Sequence, residues 1–281
     1  MVKRLFKLTL LLIFSVSVFI AACSNDLLGL FGSSDLDERL KSKDIFKFVS
    51  KDNLDLNNVI EKDSPYSFIV VSDTHIEDGN AYNLQGLSKV ISDNQDIKFV
   101  IALGDITQYG AEHDIKKFID ICGKFNVPCY PVIGNHDFYF GNWSVWRDNI
   151  GSTSYKVSGA GTTLFFLDSA NAYIGKKQLD WLDSEMKKLN RKERIFVFTH
   201  APLFVKGPAD MQQVIDIKER ARIASILKDK CDIMFMGHLH KNMSNTAGGT
   251  RYVAIEDFKT NNTYCLVTVS PSGVAYKYKK L

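Results

Sequence analysis

The chain has 281 residues, 45% hydrophobic and 24% charged, an ordinary globular composition that suits one large domain or two small ones. Its formal net charge of +3 comes from residues 1–22, which hold Lys3, Arg4 and Lys7 and no acid; taking these three from 35 basic residues leaves 32 against 32 acidic ones. A neutral body excludes a binder that works by neutralising many nucleic-acid phosphates, so no specific nucleic-acid partner is expected.

In chain order, the basic start leads into an uncharged apolar stretch over 8–22, short for a membrane span of about 20 residues. It closes on Ile20-Ala21-Ala22-Cys23, which looks like a bacterial lipobox. That resemblance implies a signal peptide over 1–22 and a Cys23 that is acylated and becomes the new N-terminus. The protein would then be exported and held by lipid on the extracytoplasmic side of a bacterial membrane. An uncleaved anchor helix and ordinary cleavage nearby are the other readings. Residues 23–64 are polar with broken patterning and read as a tether, with a short helix near 35–49.

From residue 65 the pattern becomes regular. Apolar runs at 67–72, 98–103, 129–133, 195–199 and 232–236 predict strands covered on both faces. Between them, 82–94, 113–125, 176–190 and 212–229 predict helices. Hairpins are expected over 154–168 and from 251 to the C-terminus. The alternation predicts an α/β fold in a single body, 65–281, with helices flanking the sheet. Four cysteines remain beyond Cys23: Cys122, Cys129, Cys231 and Cys265. No metal-finger spacing links them, and both a Cys122–Cys129 bridge and separate buried thiols are open.

The residues that follow each strand carry the chemistry. They are Asp73-Thr74-His75, Gly104-Asp105, Gly134-Asn135-His136-Asp137, His200 and Gly237-His238-Leu239-His240. Of six histidines only His113 lies away from these strand ends. Sites in α/β sheets form at the carboxyl ends of strands, and a mixed nitrogen and oxygen donor set favours manganese, iron or zinc. Alternation along an extended chain predicts that Asp73 and His75 face one way, and likewise His238 and His240.

The ordered series DxH, GD, GNHD, H, GHxH resembles the calcineurin-like metallophosphoesterases over roughly 66–258. The resemblance implies a metallophosphoesterase-type β-sandwich with flanking helices and the metal site at the C-terminal strand ends. It implies hydrolysis of a small phosphorylated substrate, with a phosphodiester or nucleotide favoured, at two divalent ions with a bridging hydroxide nucleophile. Asp73, His75 and His240 would hold one ion, and Asn135, His200 and His238 the other, with Asp105 between them. His136 would donate to the phosphate or act as general acid, oriented by Asp137. In purple acid phosphatases a tyrosine lies three residues after the bridging aspartate; here that position is Gln108, and Tyr109 is one residue late. A surface lipoprotein or scaffold that binds metal without catalysis is the alternative. Phe138, Tyr139, Phe140, Trp143 and Trp146 either pack the loop or meet a base; Lys206 and Asp168 carry weaker signals.

Overall fold

The five apolar runs become strands because each is rich in Val, Ile and Phe and is buried on both faces. The structure, a computed structural model, describes residues 36–42, 44–190, 192–205 and 213–281. The expected signal segment, Cys23 and Lys206 lie outside them. The strands are β1 (Tyr66–Val71), β2 (Ile97–Leu103), β3 (Cys129–Val132), β4 (Tyr155–Gly159), β5 (Thr162–Phe166) and β6 (Arg194–Phe198), followed by β7 (Ile233–Met236), β8 (Met243–Ala247), β9 (Thr250–Ala254), β10 (Thr263–Ser270) and β11 (Gly273–Lys280).

They form two sheets. One has five strands in the order β11-β10-β1-β2-β3, the other six in the order β4-β5-β6-β7-β9-β8. The site-bearing strands run parallel to their neighbours in each sheet: β1 with β2, β2 with β3, β5 with β6 and β6 with β7. Their carboxyl ends therefore share one edge. The β4–β5 hairpin turns through Ala160 and Gly161, both with positive φ, as a two-residue turn between right-twisted strands requires.

Between the sheets lies an aromatic core. Phe68 stacks on Phe99 at 4.7 Å and meets Phe196 edge-on at 5.2 Å, while Phe198 stacks on Phe166 at 5.1 Å and on Phe235 at 5.5 Å. Helices Leu87–Ser92, Glu112–Cys122 and Trp143–Asn149 bury their apolar faces on the outside of the first sheet. Gly175–Lys188 and Ile217–Leu227 do the same for the second. The result is a helix–sheet–sheet–helix sandwich, as the family resemblance implies; the alternation of strands and helices alone predicts one sheet.

Three local expectations change. The last predicted helix, 212–229, is described only over Ile217–Leu227, with Asp216 as its N-cap accepting from Lys218 N. The exposed strand β8 was not foreseen, because its polar sequence shows no apolar face. Residues 36–64 pack on the body, whereas a tether would leave them in water: Leu36, Val49, Leu56, Ile60 and Arg39 are buried. Arg39 donates to both oxygens of Asp168, at 2.7 and 2.8 Å, and lies 4.6 Å over the Phe138 ring. Asp168 therefore belongs to a fully buried, bidentate ion pair. The four cysteines are free and buried, with the Cys122 and Cys129 sulfurs 3.2 Å apart. No helix among the described residues is long and apolar enough to cross a membrane.

Candidate metal centre

Asp73 and His75 lie just past β1, Asp105 past β2, and Asn135 and His136 past β3; His200 follows β6, and His238 and His240 follow β7. These turns are tight. Gly104 has φ +87°, and a Cβ there would lie 2.5 Å from His200 Nδ1; at Gly134 it would lie 2.2 Å from Asp105 Oδ1. A side chain at Gly104 would push His200 of the second sheet away from the first, and one at Gly134 would displace Asp105 within the first sheet. Asp73, His75, Asp105, His238 and His240 all have φ between 42° and 69°. Left-handed backbone at five non-glycine residues costs free energy, and such strain gathers at functional sites.

Left-handed backbone replaces the extended chain that alternation assumes, yet all four residues reach the site, divided between clusters as the resemblance implies. Asp73 and His75 do reach one cluster, with His75 Nε2 3.8 Å from Asp73 Oδ1. His238 and His240 instead part. One cluster is Asp73, His75 and His240; another is Asp105, His200 and His238; a third joins His75, Asp105 and His136. Asn135 is buried beside Asp105, and its Nδ2 donates to Tyr139 Oη at 2.8 Å. His113 is apart from the clusters, 3.3 Å from Asp114 Oδ1 at the surface.

Second contacts fix the carboxylates. Asp105 Oδ1 accepts from His136 N at 2.9 Å. Asp73 Oδ2 accepts from Ser72 Oγ and from His238 N. His200 Nδ1 donates to the Leu103 carbonyl at 3.0 Å, which turns Nε2 inward, 3.1 Å from Asp105 Oδ2. His136 Nδ1 likewise donates to the Gln108 carbonyl at 2.9 Å. Asp137 accepts from Thr107 N, Thr107 Oγ1 and Gly134 N. It bolts the loops after β2 and β3 together.

The donor set fits cations. Asp73 Oδ1 is buried with no hydrogen-bond partner. Ring nitrogens lie close at His75 Nε2–His240 Nε2, 3.3 Å, and at His238 Nδ1–His200 Nε2, 3.2 Å, spacings at which one ring donates to the other and which a cation could take over. Electrostatics agree. Burial disfavours a charged Asp105, but His200 and His136 outweigh it and hold the carboxyl well below the usual range. Burial also opposes a charged His200, yet Asp105 raises its pKa to about 10. Burial lowers His75 to about 4. Burial, helped by the nearby Asp105 charge, raises Asp137 to about 7.

Three neighbours take contacts that the sequence does not show, and one of them, Lys259, has no signal there at all. Tyr139 contacts His136 ring to ring at 4.3 Å as well as Asn135. Gln108 holds His136 through a carbonyl, which no side-chain signal reveals. Lys259, whose N–H donates to the Asp73 carbonyl, reaches Glu77 and Gln108 and lies 4.8 Å over the Tyr82 ring; it stands beyond the last motif.

A two-sheet α/β sandwich with Asp, Asn and His converging at its strand ends defines a metallophosphoesterase. The profile of the calcineurin-like phosphoesterases matches residues 66–242; the chain belongs to that family and is a phosphoric ester hydrolase. It is similar to a probable cyclic nucleotide phosphodiesterase of Fibrobacter succinogenes, 26% identical over 195 residues, 62% of this chain and 72% of that one. It is also similar to a probable glycerophosphodiester phosphodiesterase of Arcobacter nitrofigilis, 28% identical over 197 residues, 62% of this chain and 71% of that one. In fold it resembles a dimetal phosphatase from Danio rerio, with a TM-score of 0.58 and 15% identity, covering 75% of this chain and 98% of that one.

Proposed function

We propose that the protein hydrolyses phosphodiesters of the nucleotide class at a dinuclear centre of divalent manganese, iron or zinc. Asp73, His75 and His240 hold one ion. Asn135, His200 and His238 hold the other, and Asp105 joins them. The observation that carries this reading is the pair of three-residue clusters, Asp73–His75–His240 and Asp105–His200–His238, linked by His75 Nε2 lying 3.8 Å from Asp73 Oδ1 and 3.9 Å from Asp105 Oδ2. When bound, the ions would supply Lewis acidity toward the phosphoryl oxygens and an activated water as nucleophile. His136, with Nδ1 committed to Gln108, directs Nε2 at the phosphoryl oxygens or the leaving oxygen as hydrogen-bond donor or general acid. The relative named a cyclic nucleotide phosphodiesterase supports a nucleotide diester.

The test is hydrolysis of bis(p-nitrophenyl) phosphate and of a 3′,5′-cyclic nucleotide by residues 24–281 with added manganese, against His136→Ala. Turnover that collapses in the variant is expected. A manganese-loaded protein that cleaves neither diester sinks the reading. We also propose export and anchoring through an acylated Cys23, so that the hydrolase works on the outer side of a membrane. Full-length protein made with radiolabelled palmitate should carry label that Cys23→Ser loses; an unlabelled wild type rejects the anchor.

A further inference from the structure

Two aromatic side chains stand in water beside the candidate centre. Phe140 is 74% exposed, more than any other large apolar side chain among the described residues, and Tyr109 is 40% exposed. Water penalises such exposure. Phe140 also has a left-handed backbone, φ 57°, which is an outlier for a bulky residue. The two rings are 6.1 Å apart with planes tilted by 48°. They do not lie flat on each other, so each keeps a face for a third ring.

Both are tied to the loop that carries His136. Gln108, which accepts from His136 Nδ1, directly precedes Tyr109. Asn142 Nδ2 donates to the Tyr109 carbonyl at 3.0 Å. Tyr139 lies against His136 on one side, at 4.3 Å, and against Phe140 on the other, at 6.2 Å. At Gly110, φ +65°, a Cβ would come within 2.7 Å of the Asp137 carbonyl oxygen, so the loops pack closely there, and Thr107–Asp137 and Tyr109–Asn142 hydrogen bonds tie them together. The phosphate donor and the exposed rings therefore form one rigid unit. The other aromatics after His136 are spoken for: Phe138, Tyr139, Trp143 and Trp146 are buried.

We propose that Phe140 and Tyr109 form an aromatic wall that takes the planar base of a nucleotide whose phosphate lies beneath His136. This rests on the phosphodiesterase reading and adds the group that selects the substrate. Stacking needs a π face and no particular hydrogen-bond pattern, so the wall favours nucleotides over aliphatic phosphoesters while accepting more than one base.

The test uses binding, so that it does not depend on turnover. Manganese-loaded wild type, Phe140→Ala, Tyr109→Ala and Phe140→Trp are titrated by calorimetry with adenosine 5′-monophosphate and, separately, with inorganic phosphate. Each alanine variant should weaken the nucleotide about tenfold, the scale of one lost base–aromatic stack, and leave phosphate unchanged; the tryptophan variant should bind the nucleotide at least as well as wild type. Equal weakening of both probes, no weakening of the nucleotide, or a wild type that binds the nucleotide no more tightly than phosphate overturns the wall. Wall-dependent nucleotide binding without any diester hydrolysis leaves the wall standing and removes the hydrolytic reading. Hydrolysis of cyclic nucleotide with an unchanged KM in Phe140→Ala does the reverse.

Discussion

The two sheets contribute unlike halves to the centre. The first supplies every oxygen donor, Asp73, Asp105 and Asn135, together with His75 and His136; the second supplies imidazoles alone, His200, His238 and His240. The carboxylates of the first sheet are held by backbone donors and glycine-tight turns. Their negative charge is a fixed property of the fold. His200 and His240 of the second sheet are held toward the charged form by the facing carboxylates; as cations they balance the carboxylates, and as neutral rings they offer lone pairs. The first sheet thus sets what the centre demands, and the second adapts to whatever satisfies it.

Removing the fixed charge should have the largest effect. Asp105→Asn keeps the shape but cannot serve two ions as a carboxylate does. Diester turnover should fall by about 10³-fold, the scale of losing one preorganised electrostatic group. A variant with normal manganese content and near-normal turnover would mean that the halves do not depend on a shared carboxylate.

Next comes the clamp across the halves. Arg39 pairs with Asp168, just past β5 of the second sheet, and lies over Phe138, just past β3 of the first. Arg39→Met leaves Asp168 charged and buried without its partner, so unfolding stability should drop by about 3 kcal/mol. Denaturant melts check this; a loss below about 1 kcal/mol would fit an exposed pair and not a buried one.

The adaptable half can be tested by pH on chelator-treated protein. The folded pKa of His200, about 10, lies above its ordinary value of 6.5. The stability it contributes is full below 6.5 and is lost as pH rises through about 10. Metal-free protein should therefore melt at falling temperature over that window, and His200→Gln should flatten the fall. A melting temperature that rises with pH there contradicts the cation role of the second sheet.

The smallest effect is expected at Tyr139→Phe, which removes the hydroxyl bonded to Asn135 and keeps the ring against His136. Manganese affinity should weaken about tenfold, as for other groups that orient a ligand, with the stability curve unmoved. No change in affinity would show that Asn135 is held by other contacts.

The sequence by itself determined the five site-bearing strands, the flanking helices and the residues at the strand ends. Those signals are local: an apolar run long enough for one strand, then Asp, Asn or His with a glycine before it. The partnership of His240 with Asp73 and of His238 with His200 is implied by the motif resemblance and not by strand alternation, since it depends on left-handed backbone that sends neighbours to different clusters. The place of Arg39 was also invisible, because a polar stretch with scattered leucines looks like a tether until Asp168, 129 residues away, is brought to it. The aromatic run after His136 looked uniform in sequence. Only the packed loops decided that four of its members serve the interior while Phe140 faces the water, since burial is settled by what the rest of the chain leaves uncovered.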